Sequence, residues 1–151
     1  MGFSIASESP LQDDVRVLVR ALNEFTYELT PAEFRHHMSV EQMAQPDTTV
    51  FIARDASGAA LGMGALRRHA GAGEVKRMFV APGARGTGLG GAILLEIEKL
   101  ARAERLPKLV LETGSNFDAA KRVYARAGFV TCDAVLDYPA SPWNAFYEKT
   151  L

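Results

Sequence analysis

The chain has 151 residues, of which 48% are hydrophobic and 23% charged, with a formal net charge of −1. That is enough apolar material for one core, and too little length for two. The balanced charge argues against a general nucleic-acid binder, and the single cysteine excludes an internal disulfide framework and a cysteine-based zinc site.

In chain order, Phe3, Ile5 and Ser7 alternate with smaller residues and predict a short first strand. Ser9-Pro10-Leu11-Gln12 has the form of a capping box with proline at the first helical position. Leu11, Val15, Leu18, Leu22, Phe25 and Leu29 then follow at spacings of three and four, one apolar helix face. Thr30-Pro31-Ala32-Glu33 repeats the start signal, so a second helix is expected to about Ala44. Pro46 and Asp47 end it. Thr48 to Arg54, Ala60 to Arg68 and Glu74 to Val80 read as a three-strand meander with turns at Ser57-Gly58 and Gly71–Gly73. A glycine-rich loop precedes a helix over Leu89 to Glu104. Leu109 to Leu111 is a buried strand. A helix from Asn116 to Ala127, ended by Gly128, leads to last strands at Phe129 to Cys132 and Phe146 to Leu151. The order β-α-α-β-β-β-α-β-α-β-β predicts an α/β (α+β) fold, with a mixed sheet of antiparallel hairpins followed by one parallel strand–helix–strand crossover. One domain over residues 1–151 is expected. No run approaches the length of a membrane span. The N-terminal segment lacks the basic and apolar regions of a secretory signal, and Ala6 breaks a myristoylation pattern. A cytoplasmic location with no membrane partner is expected.

Val80-Ala81-Pro82-Gly83-Ala84-Arg85-Gly86-Thr87-Gly88-Leu89-Gly90-Gly91 is the most informative segment. Glycines ahead of a helix expose backbone amides with no Cβ in the way, and the helix N-terminus adds partial positive charge, a combination that binds phosphate oxygens. A Walker loop is excluded because no lysine ends it. Gly86, Gly88 and Gly91 do satisfy the dinucleotide pattern, with Glu112 about twenty residues on. However, the preceding strand belongs to an antiparallel meander and Pro82 and Arg85 separate it from the first of those glycines.

Arg85, Gly88 and Gly90 after the strand Lys76 to Val80, together with Val123-Tyr124 and Gly128-Phe129, resemble the GNAT superfamily of acetyl-CoA-dependent N-acetyltransferases; Leu111 to Gly114 and the ending Glu148-Lys149-Thr150-Leu151 resemble its small bacterial members. The resemblance covers nearly the whole chain. It implies about seven mostly antiparallel strands flanked by about four helices, with one splayed parallel pair. It implies acetyl-CoA as cofactor, held by the backbone of Met78, Phe79 and Val80 and by Arg85, Gly86, Thr87, Gly88, Leu89, Gly90 and Gly91. Tyr124 would contact the sulfur and act as general acid. Glu74 matches a general-base position or is a strand-end carboxylate paired with Lys76. By period two it would share a face with Lys76, Met78 and Val80. Asn116 either touches the cofactor or caps the following helix. Lys121, Arg122 and Arg126 face the coenzyme A phosphates or solvent.

The acceptor implied is the primary amine of a small molecule or amino acid, attacking directly in a ternary complex. Tyr27, Phe34, His37 and Met38 on one side and Tyr138, Trp143 and Phe146 on the other are candidate contacts, each alternatively a packing residue. His36-His37 is a poor metal pair, since adjacent helical positions diverge, and no metal is expected. A homodimer is compatible with the resemblance. A non-catalytic acyl-CoA-binding module is the second reading and a dinucleotide-binding protein the third.

Overall fold

The computed structural model describes residues 2–35 and 38–151; the His36–His37 pair lies outside the described residues. Strands β1 (Phe3–Ser7), β2 (Thr48–Asp55), β3 (Ala60–His69), β4 (Ala72–Val80), β5 (Lys108–Gly114), β6 (Val130–Thr131) and β7 (Asn144–Thr150) form a sheet in the order β1-β2-β3-β4-β5-β7-β6. Every pairing is antiparallel except β4 with β5. Helices α1 (Asp13–Leu29) and α2 (Val40–Met43) pack on one face, where Val15, Leu18, Val19, Leu22 and Met43 meet Val50, Ile52, Met63 and Phe79. Helix α3 (Leu89–Ala103) covers the other, where Leu89, Ile93, Leu94 and Ile97 meet Leu66, Val75, Leu109 and Leu111. Tyr124, on α4 (Asp118–Arg126), joins the second core.

The start signals at both N-terminal helices act differently from expectation. The Ser9 hydroxyl accepts from the Leu11 amide at 3.1 Å, and the Gln12 amide group donates to the Ser9 carbonyl at 2.7 Å. These bonds form a turn ahead of the helix, so α1 begins at Asp13 and Leu11 is half exposed. After Thr30-Pro31 the chain makes only a 3₁₀ turn over Ala32–Phe34. The Arg35 guanidinium claims the Thr30 and Tyr27 carbonyls at 2.8 and 3.0 Å. The working capping box lies further on: Gln42 N donates to Ser39 Oγ and Ser39 N to Gln42 Oε1.

The register of β4 against β3 slips. Ala65 pairs with Lys76 and Met63 with Phe79, so Gly64 faces two residues, Arg77 and Met78. This is a β-bulge, with Arg77 at φ +56°. It corrects the expected strand face. Val75, Met78 and Val80 pack towards α3. Alternation places Glu74 and Lys76 on the opposite face, with Phe79, towards α1. Gly64 is required where the bulge crosses α3, because a Cβ there would sit 2.5 Å from Met78 Sδ and 2.7 Å from Ile93 Cγ2.

Candidate active site

β4 and β5 pair only at Gly73–Leu109 and Glu74–Val110. Beyond that point the strands diverge, and the β4 backbone facing the gap loses its strand partner. A cleft of about 870 Å³ occupies the gap and is lined from both faces of the sheet.

From the α3 side the wall is the glycine loop. Its shape is held by its own bonds: Thr87 Oγ1 donates to the Ala84 carbonyl at 2.6 Å and Arg85 Nε to the Val80 carbonyl at 3.1 Å. Gly88 stands at the N-cap with φ +83°, a conformation that a side chain disfavours. No side chain caps α3, and its first internal bond runs from Ala92 N to Gly88 O. The amides of Leu89, Gly90 and Gly91 therefore lack intrahelical acceptors. A Cβ at Gly91 would meet nothing within 4 Å, so no neighbour in the protein requires glycine there. Arg85, Gly86, Gly88, Leu89, Gly90 and Gly91 all line the cleft. Thr87 does not, its hydroxyl being turned back to close the loop. Arg126 and Lys149 add positive charge to the wall, Lys149 being bound to Glu98 at 2.7 Å. Lys121 donates instead to the Ser115 carbonyl at 3.1 Å.

Met78, Phe79 and Val80 line the middle from β4, and Thr113 and Gly114 from β5. Tyr124 reaches the same wall. It is 6% exposed, sits among the rings of Phe129 and Tyr147, and makes no hydroxyl hydrogen bond to another described residue. Burial, reinforced by the Glu112 carboxylate, pushes its phenol well above the ordinary range and keeps it protonated. Asn116 does not cap α4, whose N-cap is Phe117. Its Nδ2 donates to the Leu29 carbonyl at 3.1 Å, and Phe117 meets Phe25 edge-on at 5.2 Å. The segment after β5 is thereby tied to the end of α1, and Asn116 lines the cleft from that position.

From the α1 side the wall includes Phe25, Phe34, Arg35, Lys76, Arg77 and Trp143, with Glu112 from β5. Among the named acceptor candidates, Phe34 and Trp143 are therefore on the wall. Met38 is 2% exposed and packs in the core against α1. Tyr27 stacks beneath the Arg35 guanidinium at 4.3 Å. Phe146 is buried and off the wall, and His37 lies outside the described residues. Tyr138 and Glu74 are also off the wall. Glu74 is 1% exposed and bonded to His69 Nε2 at 2.8 Å, Lys76 Nζ at 3.3 Å and the Tyr138 hydroxyl at 2.5 Å. Glu112 does line the cleft, its Oε2 accepting from Asn144 at 3.2 Å; Glu98, paired with Lys149, and Asp118, in the first turn of α4, line it as well.

Sequence reasoning passed over Arg77 and Glu112 as site residues. Each left a trace. Glu112 is a charged residue inside the apolar run from Leu109 to Thr113. Lys76-Arg77 interrupts the period-two pattern opposite Gly64. Among the described residues no cluster of His, Cys, Asp and Glu could hold a metal, and no helix is long and apolar enough to cross a membrane.

The pattern of the acetyltransferase (GNAT) family matches residues 17–129. The chain is 41% identical over 150 residues to the IAA acetyltransferase of Azospirillum brasilense, covering 98% of this chain and 97% of that protein. A crystal structure of an acyl-CoA N-acyltransferase from Klebsiella pneumoniae superposes with TM-score 0.84 at 30% identity, over 99% of this chain and 97% of that one. The PaiA N-acetyltransferase of Thermoplasma acidophilum, solved in complex with coenzyme A, shares the fold at TM-score 0.74 and 17% identity, over the full length of both chains.

Proposed function

This chain belongs to the acetyltransferase (GNAT) family, and on that premise we propose that residues 1–151 form one domain that moves an acetyl group from acetyl-CoA to a primary amine. The observation that carries this reading is the cleft itself. It runs through the gap between two diverging parallel strands and meets an uncapped helix N-terminus ringed by glycines.

The residues present fit coenzyme A. The free amides at the start of α3 and the charge of Arg85 suit a pyrophosphate. The unpaired β4 edge over Met78, Phe79 and Val80 suits an extended, amide-bearing arm that hydrogen-bonds as a strand would. When bound, acetyl-CoA supplies an activated thioester. The chain must then deprotonate the amine, stabilise charge on the carbonyl oxygen and protonate the sulfur. Tyr124 holds a proton at a buried hydroxyl on the cleft wall and is assigned as the donor to sulfur. Glu112, the carboxylate on the opposite strand, is assigned to take the proton from the amine. As the C–N bond forms, the C–S bond breaks; the proton given up by Tyr124 is restored from the one released at nitrogen. Glu74 is assigned a supporting role, holding Lys76 and Tyr138 in place from behind the wall.

Release of free thiol from acetyl-CoA across a panel of primary amines tests the reading, with calorimetric titration of coenzyme A alongside. Turnover on at least one amine supports it. Tight coenzyme A binding with no turnover on any amine supports a non-catalytic acyl-CoA-binding module instead, and affinity for NAD without affinity for coenzyme A removes both.

A further inference from the structure

Arg77 stands at the bulge of β4 at a cost. Its backbone lies at φ +56°, where a side-chain-bearing residue is strained, and the residue is only 8% exposed. Its Nη2 donates to Asn23 Oδ1 from α1, while its Nε is buried with no partner among the described residues. Burial lowers its pKa to about 10, which leaves it charged at neutral pH. Among the described residues no carboxylate forms an ion pair with it. A buried guanidinium with no counter-ion is costly, and proteins ordinarily pair it. Arg77 lines the cleft, so a ligand can supply the missing charge there.

The neighbouring cations are already committed. Lys76 is held by Glu74 and by the Tyr138 hydroxyl, and Arg35 by two backbone carbonyls. One guanidinium with one arm taken by Asn23 suits a planar monoanion better than a phosphate, which would need more donors. Beside it the wall is apolar and aromatic: Leu22, Phe25, Phe34 and Trp143. Across the cleft stands Glu112, the only acidic group assigned to an amine.

We propose that Arg77 anchors a carboxylate on the acceptor, so that the amine acetylated in this cleft belongs to an amino acid with an apolar or aromatic side chain. The assignment rests on the acetyl-transfer reading above and adds the acceptor's second functional group. The charge pattern orients such a molecule: its carboxylate lies against Arg77, its side chain against the aromatic wall, and its amine points away towards Glu112.

The test compares leucine, phenylalanine and tryptophan with their carboxamides, by thiol release and by calorimetric binding to the coenzyme A-loaded protein. The carboxamides have more acidic ammonium groups and so more free amine at neutral pH; without an anchor they should react faster. A charge-assisted contact made only by the acid is expected to favour at least one amino acid over its amide by about tenfold to a hundredfold in kcat/KM and in binding. Arg77→Gln should reduce that ratio to near unity while coenzyme A affinity stays within about twofold, and Arg77→Lys, which keeps charge but loses the fork, should fall between. Arg77→Lys also carries the test if Arg77→Gln does not fold. Equal or better use of the amides, no binding of any amino acid, or an acid preference that survives both substitutions overturns the proposal. Binding that favours the acids and depends on Arg77, without turnover on any amine, leaves the anchor standing and removes acetyl transfer.

Discussion

Tyr138 donates its hydroxyl hydrogen to Glu74 Oε2 across 2.5 Å, and the Tyr138 hydroxyl oxygen accepts in turn from Lys76 Nζ at 2.5 Å. The pair fixes a carboxylate that has almost no solvent contact, on the face of β4 opposite Met78 and Val80. This arrangement separates two roles for Glu74. If it anchors Lys76 and the loop that carries Tyr138, then Tyr138→Phe should lower stability by about 1–3 kcal/mol, the range for a hydrogen bond to a buried charge, with kcat changing less than about threefold. Thermal melts and thiol-release kinetics on the same variant check it. A kcat collapse with an unchanged melt would return Glu74 to the proton path.

Tyr124 predicts the reverse combination. Its hydroxyl bonds to no described residue, so its removal leaves no buried partner unsatisfied. Tyr124→Phe is expected to melt within a degree or so of wild type yet lose about a hundredfold or more in kcat, the usual worth of a positioned proton donor. Acetyl-CoA affinity, measured by calorimetry, should change little.

Gly91 lies in the first turn of α3, with open space where a side chain would project. Gly91→Ala should therefore stabilise the free protein by up to about 1 kcal/mol through helix propensity. The same methyl group lies on the cleft wall and should weaken acetyl-CoA binding. A higher melting temperature joined to a lower affinity is the expected result; unchanged affinity would place the phosphate groups away from this turn.

The acid side of the stability profile is set partly by Arg54, which binds Glu8 at 2.8 Å and Asp14 at 2.6 Å. The hydrogen bond from Arg54 is the main reason that the Glu8 carboxyl titrates below its ordinary value of 4.5. A carboxyl with a depressed folded-state pKa stabilises above its unfolded value, and that contribution disappears as pH falls through the folded one. Glu8→Gln should thus melt lower than wild type between pH 6 and 7, and the difference should shrink once pH drops below 4.5. Melts across that range read it directly.

Most of the fold was legible because its signals are local. The apolar stripe from Val15 to Leu22, the three meander strands and the glycine loop each depend on spacing within a short window. The failures were local signals that competed. Ser9-Pro10 and Thr30-Pro31 both look like helix starts, but side-chain bonds from Gln12 and Arg35 took the carbonyls and turned the chain instead. Asn116 looked like a cap one residue early, and its amide found the end of α1.

The chain's sequence by itself determined the order of elements, the uncapped glycine start of α3 and the placing of Tyr124 four residues before the left-handed Gly128. All of these follow from backbone preferences and periodicity, which neighbours in the chain dictate. Only the tertiary structure decided which charges meet. The bulge opposite Gly64 moved Arg77 onto the cleft wall, strand alternation took Glu74 off it, and Glu112 came forward from β5. A one-residue slip in register exchanges the faces of a strand, and its cause lies in packing across the sheet, beyond the reach of any window along the chain.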